Sequence, residues 1–138
     1  MNTIHHHAEK PDLTRNQSLV FEALEDADTP LTAYNILERL TGEGLRAPLQ
    51  VYRALDKLLD LGMVHRLESL NAFVACRHPD CDTHATVAFA ICDECGTVAE
   101  ISDTSLVSAL EAITGRTGFA PRKTTVEMRG LCSACRAA

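Results

Sequence analysis

Two Cys-x-x-Cys pairs are the residues of this 138-residue chain whose types and spacing best suit metal chemistry. Each pair can turn so that both thiolates face one point, and two pairs supply the four ligands of a closed tetrahedral zinc site. Two independent dithiols or a thioredoxin-like redox motif are the alternatives, but neither pair lies at a predicted strand-to-helix turn. The predicted ligands of a structural zinc are Cys92, Cys95, Cys132 and Cys135.

A second group of potential ligands combines histidine, cysteine and glutamate. His65 opens and Cys76 closes a predicted hairpin, and the ends of a hairpin lie close in space. One thiolate among nitrogen and oxygen donors suits zinc and disfavours magnesium, calcium and manganese. Spacing alone does not decide whether these residues bind a metal, because a lone histidine is more often structural. It also does not decide the ligand set, because His78 and Cys81 are alternative donors. The candidate ligands of this second site are His65, Cys76, His84 and Glu100.

The segments that must position these ligands begin with three helices and a hairpin. Thr14 and Gln17 fit a capping box, in which each side chain satisfies a backbone amide at a helix start. Pro48 suits the first turn of a third helix, which ends before Gly62. The predicted elements are helices beginning near Thr14, running from about Ala33 to Leu40, and beginning near Pro48, followed by strands at 63–67 and 71–76. This order predicts a winged helix-turn-helix domain.

The C-terminal segment predicts a small α/β unit. Its elements are strands at 86–91 and 97–101, a helix at about 103–114, a strand at 124–129 and a final turn. An apolar stripe follows one face of that helix: Leu106, Val107, Leu110 and Ile113. About 50 residues bury little core, so this unit needs a metal staple or a partner subunit.

The predicted fold class is therefore α+β, with a winged helix-turn-helix domain and a small α/β dimerisation domain stapled by zinc. The expected boundaries are a flexible tail at 1–11, a DNA-binding domain at 12–77, a hinge at 78–85, and a dimerisation and metal-binding domain at 86–138. The three histidines at 5–7 are more typical of a disordered tail than of a metal site.

Composition excludes several classes of protein. The net charge of −6 rules out a generally basic nucleic-acid binder, although a local basic face remains possible. Aromatic residues make up 4% of the chain, too few for a stacking platform, and no apolar run approaches a membrane span. The first residues lack an apolar signal region, so we expect a cytoplasmic protein with reduced cysteines. No catalytic constellation is found, and no enzyme activity is expected.

The third predicted helix carries a candidate DNA-reading face. Polar side chains at i, i+3 and i+7 lie opposite the apolar positions, where Arg can pair with guanine, Gln with adenine, and Tyr or Lys with phosphate. A solvated face is the commoner fate of such a stripe, but the position before a hairpin favours DNA. The candidates are Gln50, Tyr52, Arg53 and Lys57, with Arg15 as a phosphate contact and Arg66 as a weaker one.

These residues resemble the ferric uptake regulator family, and within it the zinc uptake regulator branch, over roughly residues 12–136. The iron-sensing branch typically carries a His-His-Asp-His cluster before the first cysteine pair, where this chain has only His84. Six segments carry the resemblance: Leu-Thr-Arg-Asn-Gln (13–17), Val-Tyr-Arg-Ala-Leu (51–55), Leu-Gly-Met-Val-His-Arg-Leu-Glu-Ser (61–69), Phe-Val-Ala-Cys (73–76), Ile-Cys-Asp-Glu-Cys-Gly (91–96) and Gly-Leu-Cys-Ser-Ala-Cys (130–135).

The resemblance implies a regulatory zinc at the second site and DNA contacts from Tyr52 and Arg53. The chain departs from the family in two places. It has one extra residue between His84 and Cys92. In some relatives, a basic residue that pairs with an acidic residue on the second helix couples neighbouring dimers, and this chain has Thr41 where that basic residue is expected. The first departure bears on the loop ligand, and the second bears on cooperativity between dimers.

The function implied is a zinc-responsive repressor of zinc uptake and homeostasis genes. It would bind palindromic operator DNA as a homodimer, with one structural and one regulatory zinc per subunit, no membrane contact and no small-molecule substrate. One alternative keeps the fold but senses iron, manganese or peroxide. Another is a zinc-stapled interaction module that does not bind DNA.

Overall fold

The structure, a computed structural model, describes residues 12–77 and 86–137. The expected tail and hinge lie outside these ranges, as do the candidate ligands His78, Cys81 and His84. The elements are α1 (Arg15–Asp26), α2 (Ala33–Leu40), α3 (Pro48–Asp60), β1 (Val64–Leu67), β2 (Ala72–Ala75), β3 (Thr86–Cys92), β4 (Val98–Ile101), α4 (Thr104–Thr117), β5 (Thr124–Gly130) and α5 (Ser133–Arg136). No helix among the described residues is long and apolar enough to cross a membrane.

Capping side chains set where the first two helices begin. The predicted box at α1 is confirmed: Thr14 Oγ1 accepts from the Gln17 N–H at 3.3 Å, and Gln17 Oε1 accepts from the Thr14 N–H at 3.0 Å. Thr32 and Asn35 make the same exchange at α2, at 3.1 and 3.3 Å, which the sequence analysis did not anticipate. Both caps satisfy amides that would otherwise lack partners.

The three helices pack around one apolar core and against the hairpin. Leu45, between α2 and α3, is fully buried, and Leu31 forms an isolated antiparallel bridge with Phe73 of β2. The largest buried contributors from the helices are Val20, Leu24, Ile36, Leu40, Val51, Leu55 and Leu58. The hairpin follows α3 directly, so the N-terminal part is the predicted winged helix-turn-helix, with β1 and β2 as the wing.

The C-terminal part is a three-stranded sheet in the order β4-β3-β5. β3 pairs antiparallel with β4 and parallel with β5. Between β4 and β5 the chain passes through α4, which connects the two edge strands of the sheet. α4 runs three residues past the predicted end, Thr114, and stops at Gly118, whose φ of +71° terminates the helix. The predicted final turn is the single helical turn α5.

The wing packs on one face of this sheet. Leu67 at the end of β1 forms a buried cluster with Phe89 and Ile91 of β3. Leu70, Val74 and Val98 pack against this cluster. The two parts of the chain therefore share an apolar contact, and side chains from both meet at its edges.

Candidate metal centres and nucleic-acid surface

The sheet topology brings the two cysteine pairs together. Cys92 ends β3 and is paired in register with Gly130 of β5, so the pair that follows β5 lies beside the pair that follows β3. The four sulfur atoms all lie within 4.8 Å of one another, and the Sγ atoms of Cys95 and Cys132 are 3.7 Å apart. A tetrahedral zinc with Zn–S bonds of about 2.3 Å separates its sulfurs by about 3.8 Å. The predicted four-cysteine cluster is therefore confirmed as a geometry that fits such an ion.

Cys92 and Cys135 differ in their thiol pKa, and all four cysteines of the cluster are free of disulfide bonds. Backbone hydrogen bonds, the first of them from Cys95, lower the pKa of Cys92 to about 6. Hydrogen bonds to Cys132 and Cys92 raise the pKa of the Cys135 thiol to about 12. The cluster thus holds both thiolate and thiol at neutral pH, and a metal ion that takes all four sulfurs displaces the remaining protons.

A salt bridge ties the first cysteine turn to the neighbouring strand. Arg129 of β5 approaches Asp93 Oδ1 with Nε at 3.0 Å and Nη2 at 2.9 Å. The Asp93 N–H also donates to the Gly130 carbonyl at 2.8 Å. These contacts hold the turn of the first cysteine pair against the end of β5, which the second cysteine pair follows. Four cysteine sulfurs would complete the coordination of a tetrahedral zinc, which is the ligand set typical of a structural site.

Three of the four candidate ligands of the second site meet where the wing touches the sheet. Nε2 of His65 on β1 lies 3.6 Å from Oε1 of Glu100 on β4, and Sγ of Cys76 lies 3.6 Å from the same oxygen. All three ligand atoms are within 4.8 Å of one another. The fourth candidate, His84, lies outside the described residues. The donor chemistry and the spacing both suit zinc.

His65 is 6% exposed, and its surroundings favour the neutral ring. Burial lowers its pKa from 6.5, the Glu100 carboxylate opposes that shift, and the Lys123 ammonium adds to it. Neutral imidazole is the form that binds metals. Cys76 is disulfide-bonded in the structure, which departs from the expectation of reduced cysteines, and only its reduced thiolate can be a metal ligand.

Arg77, which the sequence analysis did not single out, joins this site to the end of α1. Its backbone N–H donates to Glu100 Oε2 at 3.2 Å. Its guanidinium donates to the carbonyls of Glu25 and Ala27 at 3.0 and 3.4 Å, where α1 ends. No sequence pattern indicates these contacts, because they span 23 to 52 residues of chain.

The candidate DNA-reading side chains lie on the open face of α3. Tyr52 is 39% exposed, and Arg53 and Lys57 are also exposed, whereas Val51 and Leu55 on the opposite face are buried. Side chains on this face can therefore reach a DNA groove.

Gln50 and Arg15 already make contacts within the chain. Gln50 Oε1 accepts from the N–H groups of Arg46 and Ala47 at 2.9 and 3.2 Å and so caps α3. Only its NH₂ group is left for a base edge. The guanidinium of Arg15 donates to the Glu43 carbonyl at 2.8 Å, and its second nitrogen lies 3.6 Å from the Glu43 carboxylate.

Known proteins that are similar to this chain in sequence or in fold include zinc uptake regulators. The zinc uptake regulation protein of Escherichia coli (strain K12) is 38% identical over 124 residues, which are 89% of this chain and 72% of that protein. A solved structure of a zinc uptake regulator complexed with zinc and DNA is 37% identical, with a TM-score of 0.84 over 91% of this chain and 84% of that one. The crystal structure of holo XcZur is 44% identical, with a TM-score of 0.81 over 91% and 87%.

The family model of the ferric uptake regulators matches residues 12–129. That range includes the whole wing, the second-site residues and the first cysteine pair. The chain belongs to the ferric uptake regulator family, and the relatives compared above, at 37–44% identity, are zinc uptake regulators.

Proposed function

We propose that this protein is a zinc-responsive repressor that binds palindromic operator DNA as a homodimer and controls zinc uptake and homeostasis genes. One zinc per subunit holds the four-cysteine cluster, and a second, regulatory zinc is bound by His65, Cys76, His84 and Glu100. The proposed units are the DNA-binding domain at 12–77, the hinge at 78–85 and the dimerisation domain at 86–138. Such a regulator acts in the cytoplasm.

One observation carries this proposal: the second site joins two parts of the chain. His65 and Cys76 belong to the wing, and Glu100 belongs to the C-terminal sheet. An ion bound by all three binds best when the wing and the sheet adopt one relative arrangement. Binding therefore shifts the population toward that arrangement by its differential affinity. If DNA favours the same arrangement, DNA and zinc must strengthen each other's binding by the same factor.

The C-terminal part carries the surface that a second copy would cover. None of the residues of α4 is buried, and Ile113 on its apolar stripe is 47% exposed. Met128 and Leu131, at the β5 end of the sheet, are each 50% exposed. A second copy placed on this apolar surface would give a twofold dimer. Two α3 helices related by a twofold axis match a palindromic operator.

The donor set supports zinc as the signal. A thiolate with imidazole and carboxylate donors at close spacing suits zinc better than it suits manganese. Each of the two solved regulators compared above was also obtained in a metal-loaded or holo form. Iron, manganese and peroxide sensing on the same fold are outcomes that the metal experiment below would reveal.

The DNA test begins with selection of duplexes from a random library by the chain in the presence of zinc and a thiol reductant. We expect inverted repeats to be enriched. Arg53→Ala should weaken binding to the selected duplex by about tenfold at fixed salt. Arg122→Ala removes the same charge from the loop before β5 and should leave the affinity unchanged. No enrichment over random duplexes would favour an interaction module without DNA binding.

The metal test counts zinc per subunit in reduced protein before and after a mild chelator. We expect about two zincs, one released readily and one retained. Cys76→Ala should keep the dimer and the retained zinc but lose zinc-dependent DNA binding, whereas Cys81→Ala should keep it. If Cys81→Ala instead loses zinc-dependent DNA binding and Cys76→Ala retains it, Cys81 rather than Cys76 is the ligand. Restoration of DNA binding by iron(II) under anaerobic conditions, but not by zinc, would overturn the proposed signal.

A further inference from the structure

Three side chains form a row across one face of the C-terminal sheet. Phe89 on the central strand is paired in register with Glu100 of β4 and with Glu127 of β5. Residues paired across neighbouring strands project from the same face. Glu100, Phe89 and Glu127 therefore stand side by side beneath the wing.

The wing contacts this row through two alternate residues of β1, His65 and Leu67. At its start, His65 lies beside the Glu100 carboxylate, and its ring centroid is 5.5 Å from that of Phe89. At its end, Leu67 packs on Phe89 in the buried cluster. The turn that follows reaches Glu127. The row thus supports the wing at two ends, one of which is the candidate regulatory metal site.

Glu127 holds the wing turn through three hydrogen bonds. Its Oε2 accepts from the Glu68 N–H at 3.1 Å, and its Oε1 accepts from the Ser69 N–H at 3.2 Å and from the Ser69 hydroxyl at 2.9 Å. The amides that follow, of Leu70 and Asn71, instead donate to carbonyls within the turn. A carboxylate that accepts from consecutive backbone amides makes strong, charge-assisted bonds. These bonds connect residues 58 and 59 positions apart in the chain.

We propose that Glu127 is a positioning residue that attaches the wing tip to the C-terminal sheet and so gives the regulatory metal a fixed arrangement to complete. Glu127 is not among the candidate metal ligands or the candidate DNA contacts. A wing held only at the metal end can pivot about that end. Attachment at Glu127 adds to the apolar contact at Leu67 in restricting this freedom. The metal effect rests on the proposed function, but the attachment itself does not.

The attachment is tested directly by amide hydrogen exchange in the zinc-loaded, reduced full chain. Glu127→Ala should accelerate exchange at the Glu68 and Ser69 amides, and Glu127→Gln should do so less because one acceptor oxygen remains. Glu22→Gln removes the same charge from the exposed face of α1 and serves as the matched control. Unchanged exchange at both amides in Glu127→Ala would overturn the attachment.

The positioning role is tested by DNA affinity with and without zinc on the selected duplex. Glu127→Ala should reduce the zinc-dependent gain in affinity by about tenfold, while the zinc-free affinity and the count of two zincs match the Glu22→Gln control. A variant that keeps the full zinc-dependent gain would overturn this role. If the wild-type chain itself shows no such gain, the proposed function fails, and the exchange measurement alone decides the attachment.

Discussion

Loss of the four-cysteine metal should unfold the C-terminal part of the chain and leave the three-helix part folded. Between residues 86 and 137, the buried apolar side chains with described burial are Ala88, Phe89, Ile91 and Cys92, and only two of them are large. Burial of Phe89 and Ile91 contributes about 3–6 kcal/mol. Structural zinc contributes about 10–16 kcal/mol of apparent binding free energy in small zinc peptides. The metal therefore outweighs the core in this part.

The assay compares Cys95→Ser with Cys76→Ser by hydrogen exchange and zinc counting in reduced protein. Cys95→Ser removes one of the four clustered sulfurs, whereas Cys76→Ser alters the wing end and leaves the cluster intact. We expect the amides of β3 and β5 to lose protection in Cys95→Ser alone, while those of α1 and α3 stay protected in both variants. The N-terminal core retains its own apolar cluster, which explains that difference.

One result would refute this reasoning. If Cys95→Ser binds one zinc fewer than the wild-type chain but protects β3 and β5 as well as Cys76→Ser does, the sheet does not depend on the metal. Its stability would then have to come from the apolar contact with the wing at Leu67 or from the partner subunit. Measurement at several protein concentrations separates these two sources, because only the second depends on concentration.

Three further predictions concern stability, each measured by urea unfolding. Burial lowers the pKa of His65 below 6.5, so the unfolded chain binds the proton more readily than the folded chain does. In protein that holds only the four-cysteine metal, the free energy of unfolding should therefore fall as the pH drops below about 6.5. His65→Gln should flatten this pH dependence. Gly96 has a φ of +75°, and an added Cβ would lie 3.3 Å from the Thr29 methyl, so Gly96→Ala should lower the free energy of unfolding by about 1–2 kcal/mol. Gly115 lies on α4, where an added Cβ would meet nothing within 4 Å, so Gly115→Ala should raise the free energy of unfolding by about 0.5–1 kcal/mol. Leu55→Ala, at a side chain 1% exposed, should cost about 2–5 kcal/mol; a loss below 1 kcal/mol would contradict the packing described.

Features that depend on neighbouring residues could be predicted from the sequence. The Thr14 box, the start of α3 at Pro48 and the wing hairpin agree with the structure because caps, turns and strand alternation act over a few positions. The cysteine pairs were recognisable for the same reason, since each pair places two sulfurs within one turn. Three of the four second-site residues lie together in the structure, because the hairpin brings His65 and Cys76 together and Glu100 lies on the strand that follows the first cysteine pair.

The contacts between residues far apart in the chain became visible only in the folded structure. Gln50 has the spacing of a DNA-reading residue, yet its carbonyl oxygen caps α3, a choice that depends on the path of the chain before Pro48. The apolar stripe of α4 is recognisable in the sequence, but only the structure shows that no residue of α4 is buried in the single chain. Glu127 carries no motif at all; its hold on the wing turn arises because parallel pairing of β3 and β5 places its carboxylate under amides nearly 60 residues away.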